Sequence, residues 1–357
     1  MILSGQNLNK VYFTPHPDSA GGYSVASRQT IRDTIKFSSE IGFETVILGR
    51  RENISIPVFC RKIFKYSKKA DLILAIYPYI CRPIKGHLLR SFKSRLIEKV
   101  NMDNFSILYI IDLPIEQHLA SASKKKMDKK SYETEKRIFT SFDALLVFNK
   151  NMKNTIQEKY DISNEKIIEF EILDYGKEYD PKEKTLSKPV KIILSGLINP
   201  LQSSWIQNLP ERDDIIFLFS GPNMGWINNF DIKNVIYKGL IPSEKFFDFL
   251  SEHHFGLIYK EFKGINYYEY TSTSKFSAYM ISGLPVLCPS KFTYISHLVK
   301  KYGVGFPFDS FDEIPKIIDN LSELEYIKMR NNCINLGIKI KTGYFFKNAI
   351  NKVLDSS

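Results

Sequence analysis

Cysteine is scarce and scattered in this chain of 357 residues. The four are Cys60, Cys81, Cys288 and Cys333, with no C-x-x-C and no metal-ligand spacing to another Cys or a His. That excludes a disulfide-stapled scaffold and a zinc finger, and reads as buried thiols in a reducing compartment. Long apolar runs are also missing. The longest, around residues 107–111, is strand-sized, far below the ~18 residues a membrane span needs. The opening MILSGQNLNKVYF has no cationic stretch followed by an apolar run and a small-residue cleavage site, so the expectation is a cytoplasmic protein. No short-period repeat or low-complexity block is visible. Acidic residues are outnumbered, 39 against 50 Lys and Arg, for a net charge of +11. Such an excess suits an anionic partner: nucleic acid, an acidic membrane surface or a phosphorylated small molecule. It is equally the product of a composition rich in Lys, Ile and Asn. No zinc spacing, RNP-type aromatic strand or KH-type loop accompanies it, so nucleic acid is not expected.

What is present is material for two cores: 43% apolar residues, with 26 Phe and 20 Tyr. Strand-like runs at 10–14, 45–48, 71–75, 105–111 and 144–148 alternate with helical spacing at 25–39, 85–100 and 131–140. The theme repeats, with strands at 190–194, 214–219, 235–237, 255–259 and 284–287. Helices are expected at 243–253, 273–282, 312–321 and 343–354. Between the halves, YDPKEKTLSKP is polar, Pro-bounded and aperiodic. The reading is an α/β protein of two Rossmann-like domains facing a cleft. Residues 1–175 form the first and 176–189 a linker. Residues 190–340 form the second, and 341–357 a helix packing back on the first.

Open α/β sheets bind ligands at the carboxyl ends of their strands, so the loops after strands hold the candidates. In YYEYTSTSKFSAYMISGLPVLCP (residues 267–289), hydroxyl residues including Thr273 and Ser274 lead into Lys275 and a helix. A helix start offers free N–H groups and partial positive charge, and Lys275 adds a full one, which suits a diphosphate. The plain alternative is a capped surface helix with a solvated Lys. The loops at Gly196, at 220–223 and at 238–241 are candidates for holding a nucleotide base. In HPDSAGGYS (residues 16–24), Gly21 and Gly22 permit a tight turn and close approach to a ligand, with the helix starting near Ser24. His16 and Asp18 share that loop and could act as bases. Asp112 follows a strand directly: it reads as a base or as a cap ahead of Pro114, with Glu116 and His118 close behind. Basic stretches at 61–69 and 85–99 put Lys and Arg beside Leu, Phe and Ile. They read as core helices with solvated backs or, for the second, as peripheral contact with anionic lipid. The charges at 124–130 read as an exposed loop.

HFGLIYKEF and YYEYTSTSKFSAYMISGLPVLCP together resemble the donor-binding core of GT-B-fold glycosyltransferases. The similarity is to the branch of bacterial glucosyltransferases that extend N-acetylglucosamine on serine-rich-repeat adhesins, and to related galactofuranosyltransferases. SILYIIDLP, FDALLVFNKNM, EILDYGKEY, VKIILSGLINP and KTGYFFKNAINKVL carry the likeness over most of the chain. The resemblance implies that Lys275 anchors the donor diphosphate and that Asp112 is the family's Asp. It also implies that Gly21, Gly22, Ser24, Gly196, Tyr270, Thr273 and Ser274 lie along the nucleotide sugar. Asp174 and Tyr175 match a D-Y pair read as structural or acceptor-side. Two departures stand out. Ile111 replaces the family's His before Asp112, and Tyr270 and Ala278 occupy the positions of the paired glutamates found in many retaining enzymes.

The implied function is a transferase moving a hexose from a nucleotide sugar, a UDP-linked glucose, galactose or galactofuranose. The acceptor is a hydroxyl of a glycan, glycolipid or glycoprotein, in surface-glycan synthesis. Inversion is expected. No cofactor is expected, the UDP-sugar being a substrate, and no metal, since no D-x-D pair ends a strand. A homo-oligomer and a peripheral position at the inner face of the membrane are further expectations. The alternative is a non-catalytic GT-B-like partner of another transferase.

Overall fold

Six short apolar runs in the first half form one parallel sheet. The structure, a computed structural model, describes residues 8–17, 25–49, 56–79, 104–121, 129–262 and 266–356. Strands β1 (Lys10–Thr14), β2 (Phe43–Ile47), β3 (Leu72–Tyr77), β4 (Phe105–Ile110), β5 (Ala144–Val147) and β6 (Ile167–Glu169) lie in the order β2-β1-β3-β4-β5-β6. Every position of β3 is buried. A strand covered on both faces cannot alternate polar and apolar residues, and hence reads as the unbroken LILAIY. The second sheet contains β7 (Val190–Ser195), β8 (Ile215–Ser220), β9 (Val235–Tyr237), β10 (Phe255–Leu257), β11 (Val286–Pro289) and β12 (Gly305–Phe308). All pair in parallel, in the order β12-β11-β10-β7-β8-β9. Each sheet reverses its winding once, between β1 and β3 and between β7 and β10. At such a reversal the loops after two neighbouring strands splay apart and open a crevice.

The helix Ile56–Ser67 buries Phe59 and Ile63 in one cluster with Val11, Phe13 and Val46. Arg61, Lys65, Lys68 and Lys69 are exposed. The basic stretch at 61–69 is therefore the solvated back of a core helix and the turn after it. The stretch at 85–99, and with it the expected membrane contact, lies outside the described residues, as do Cys81 and 124–128. No helix among the described residues is long and apolar enough to cross a membrane.

The chain forms two compact units. The first comprises Met1–Gly176, Lys263–Thr271 and Thr342–Ser357; the second, Lys177–Phe262 and Ser272–Lys341. Residues around the expected linker are anchored in the second unit. Tyr179 donates to Ser251 Oγ (2.8 Å), and the Lys182 carbonyl accepts from the buried Arg330, which also donates to the Gly283 carbonyl (2.6 Å). The final helix, Tyr344–Ser356, belongs to the first unit and is capped there by Asp174, which accepts from the N–H groups of Phe345 (3.4 Å) and Phe346 (2.6 Å). Asp174 is thus structural, satisfying donors that a helix start leaves unpaired.

Asp33, on the helix Val25–Glu40, is buried as well. Its carboxylate accepts from Gln29 Nε2 (2.7 Å) and from the Gly176 N–H, while Oδ2 has no hydrogen-bond partner among the described residues. Burial pushes the Asp33 carboxyl from 3.8 up to about 7, against the pull of those bonds and of Lys36 and Arg32. Burial also raises Asp174, and the Asp33 charge adds to it. A carboxyl with a raised folded value binds its proton more tightly in the fold than in the unfolded chain. Its contribution to stability is whole below its ordinary value and is lost as pH rises to about 7. Asp33→Asn keeps an acceptor for Gln29 and Gly176 and removes the charge. It should lose less stability than the parent between pH 4 and pH 7. Melting temperatures at pH 4.5 and 7.5 check this, and equal losses in both proteins would contradict it.

Candidate functional site

In the second unit the site is built on one helix, Thr273–Ile281, and one strand end. Tyr279 is fully buried, and its ring lies where a side chain of Gly256 would stand: a Cβ there would come within 2.4 Å of it. Only glycine in β10 lets the helix approach so closely. The Tyr279 hydroxyl accepts from the Ser195 N–H (3.2 Å), with the carbonyls of Ile193 (3.3 Å) and Leu257 (3.4 Å) in reach of its proton. It therefore touches β7 and β10 together, at the point where the sheet reverses. Lys275 precedes Tyr279 by four residues and shares its helix face. Its side chain crosses the next residue along β7: a Cβ built on Gly196 would meet Lys275 Cε at 3.0 Å and Nζ at 3.4 Å. Gly196 has φ +104°, a conformation that side-chain-bearing residues rarely adopt.

The start of this helix is strained. Thr273, a β-branched residue, has φ +62°, and its Oγ1 accepts from the Phe276 N–H (3.3 Å). That is the geometry of an N-cap, held in a backbone region costly for threonine. Among the described residues the N–H groups of Ser274 and Lys275 have no partner, and no acidic group pairs with the Lys275 ammonium. Loss of hydration, with repulsion from Lys260, pulls Lys275 down from 10.5 to about 8. A cation so placed gains most from an anion brought to it.

The three loops considered for a nucleotide base are joined by backbone bonds. Gly196 N–H donates to the Ser220 carbonyl (2.7 Å) and Gly221 N–H to the Gly239 carbonyl (3.0 Å). Tyr237 donates to the Gly221 carbonyl (2.7 Å).

In the first unit, His16 and Asp112 both lie past the carboxyl ends of strands, β1 and β4, and both are partly exposed. His16 donates its N–H to the Gly49 carbonyl (3.1 Å). Asp112 Oδ1 accepts from the Tyr267 hydroxyl (2.9 Å), which itself accepts from the Leu113 N–H (2.9 Å). Tyr267 is buried, and burial together with the Asp112 charge raises its phenol well above its ordinary value. Its segment is fastened a second time by Asn149, which caps the helix Lys150–Tyr160 through Met152 N–H and donates Nδ2 to the Glu269 carbonyl (2.9 Å). Glu116 is buried and paired with Lys159, and His118 is partly exposed.

Of the residues put forward for the nucleotide sugar, Gly196, Thr273, Ser274 and Lys275 come together in the second unit. Tyr270 belongs to the first unit, where it packs edge-on against Tyr267, 5.9 Å between ring centres. Asp18, Gly21, Gly22 and Ser24 lie outside the described residues. Tyr279, Asn149 and Tyr267 were not singled out from the sequence. The first two carried signals, a four-residue offset from Lys275 and an Asn between a strand and a helix. Tyr267, one of four aromatics in a short stretch, carried none.

Residues 194–353 match the family described as Glucosyltransferase 3-like, C-terminal domain. Glucosyltransferase 3 of Streptococcus gordonii is 34% identical over 86 residues, 24% of this chain and 25% of that protein. Among solved structures, an alpha-glucosyltransferase in complex with UDP aligns over 97% of this chain and 99% of its own, with TM-score 0.55 and 11% identity. A mutant of the T4 phage BGT in complex with UDP-glucose aligns over the same shares, with TM-score 0.54 and 13% identity. At those identities the likeness concerns the fold, which is that of GT-B glycosyltransferases.

Gly196→Ala places a methyl group on the Lys275 stem and forces φ +104° on alanine. It should cost about 1 kcal/mol or more. Its loss exceeds that of Gly239→Ala, where a Cβ would meet nothing within 4 Å. Chemical denaturation of the two variants checks this, and equal losses would contradict the tight contact.

Proposed function

We propose that this chain is a glycosyltransferase that moves a hexose from a UDP-sugar to a hydroxyl of a glycan, glycolipid or glycoprotein acceptor. The observation that carries the reading is the Lys275 ammonium over Gly196. It stands at the reversal point of a Rossmann-like sheet, on a helix start where, among the described residues, the N–H groups of Ser274 and Lys275 have no partner and the ammonium has no acidic one. A diphosphate answers each of these features: its charge restores the lysine, and its oxygens accept from the helix start. The Glucosyltransferase 3-like match over residues 194–353 supports the same chemistry. UDP is the nucleotide in both fold relatives described above, and the glucosyl, galactosyl and galactofuranosyl donors fit the resemblance read from the sequence.

In the proposed reaction the acceptor oxygen bonds to C1 of the sugar. The C1–O bond to the diphosphate breaks, and its electron pair leaves on UDP. Asp112 takes the acceptor's proton as general base, and attack from the face opposite the diphosphate inverts the anomeric centre. Lys275 and the helix start stabilise the charge growing on the leaving group, as a divalent metal does in other transferases. We place the activity in surface-glycan synthesis in the cytoplasm. In this reading residues 1–175 supply the acceptor side, and residues 190–340 the nucleotide-sugar side.

Thermal stability against a panel of nucleotides and UDP-sugars tests the reading. UDP at ~100 times its Kd should add about 2.7 kcal/mol, and Lys275→Ala should lose that gain. Because Lys275 is lowered to about 8, UDP affinity should fall as pH rises past 8, with proton uptake on binding, and this dependence should vanish in the variant. A well-folded protein that responds to no nucleotide would overturn the proposal. Binding without turnover, unchanged by Asp112→Asn, would favour the non-catalytic partner.

A further inference from the structure

We infer that Tyr267 is a positioning residue for Asp112, aiming its carboxylate and holding it in the ionised form; this rests on Asp112 being the base. Chemistry fixes the direction of the two bonds at the Tyr267 oxygen. The Leu113 amide can only donate, so it occupies the oxygen's acceptor side. The single hydroxyl proton is thereby left for Asp112 Oδ1, 2.9 Å away. A carboxylate with one oxygen held this way keeps a fixed plane. Removing that bond takes away the hold on Oδ1, and the geometry of proton abstraction is disturbed. Burial keeps the phenol protonated, so the donor is present at every working pH.

The surroundings make the arrangement rigid. Tyr267 lies in the turn Tyr267–Glu269, whose first N–H groups are capped by Asn266, and Asn149 grips the Glu269 carbonyl from β5's end. The Tyr267 ring packs on Tyr270. Two acidic groups of neighbouring helices have partners of their own among the described residues. Glu135, whose charge also bears on Tyr267, is buried and accepts from the hydroxyls of Tyr77 (2.5 Å) and Tyr160. Glu116 is paired with Lys159, and His118 follows on the same helix. Tyr267 also stands eight residues before Lys275, so one short stretch of chain carries both the residue that aims the base and the anchor for the leaving group.

The test uses the full chain as parent, Tyr267→Phe and Asp112→Asn, with UDP release from UDP-glucose and UDP-galactose, water serving as acceptor. Asp112→Asn should lower kcat by about 10²-fold or more. Tyr267→Phe keeps the ring. It should lower kcat about tenfold with KM unchanged, and move the acid limb of the pH profile upward by about one unit, because the lost bond favoured the charged carboxylate. A purely structural role would not move that limb. The ¹³C carboxyl resonance of Asp112, assigned by its loss in Asp112→Asn, gives the same reading without turnover: its titration should move upward in Tyr267→Phe. An unmoved titration in Tyr267→Phe overturns the inference while leaving the base reading standing, provided Asp112→Asn is inactive. Full activity in Asp112→Asn overturns the base reading, and this inference with it.

Discussion

The contact of Tyr279 with the ends of β7 and β10 is the constraint on which the second unit depends. One hydroxyl reaches Ser195 and the carbonyls of both strands, and one ring takes the volume that Gly256 leaves open. Helix and sheet could slide past each other along an apolar interface at little cost, since hydrophobic contact is not directional. A buried hydroxyl with fixed partners cannot slide without leaving polar groups unpaired. The register it sets carries Lys275, one helical turn away, over Gly196. Strain at Thr273 is tolerated because the helix behind it is fixed.

Much of this was legible in the sequence, and the residues say why. β3 and β5 announce themselves as unbroken apolar runs, and the helix Thr273–Ile281 by hydroxyls before a periodic stretch. Lys275 stood out because a charge at a helix start is locally visible. Its counterpart Gly196 was visible as a glycine after a strand. What the sequence did not carry was pairing at long range. Tyr267 and Asp112 are 155 residues apart, and an aromatic among aromatics gives no sign that its hydroxyl has a carboxylate to serve. The same holds for Asp174, whose motif marked it without showing that its partners are the N–H groups of Phe345 and Phe346, 171 and 172 residues on. Helix ends and strand ends are local; what closes on them is not.

Buried carboxyls recur in the first unit, and they differ in how they are satisfied. Glu135 accepts from two tyrosine hydroxyls and Asp174 from two backbone amides, whereas Asp33 keeps one oxygen unpartnered among the described residues. Satisfied groups cost little and specify geometry; a partly satisfied one stores a penalty that depends on pH. Asp33 also acts on Asp174, so the cap of the final helix feels that penalty.

The chain passes between its two units after Gly176, Phe262, Thr271 and Lys341. This has a consequence for synthesis. A ribosome delivers the first sheet entire, β1 to β6, before any of the second, yet that unit lacks Tyr267 until β10 has been made and the helix Tyr344–Ser356 until β12 has. Until then Asp174 is a buried-type carboxylate with no helix to cap, and Asp112 has no tyrosine beside it. The first unit can collapse early, as amino-terminal domains do, but it can be finished only after the second has emerged.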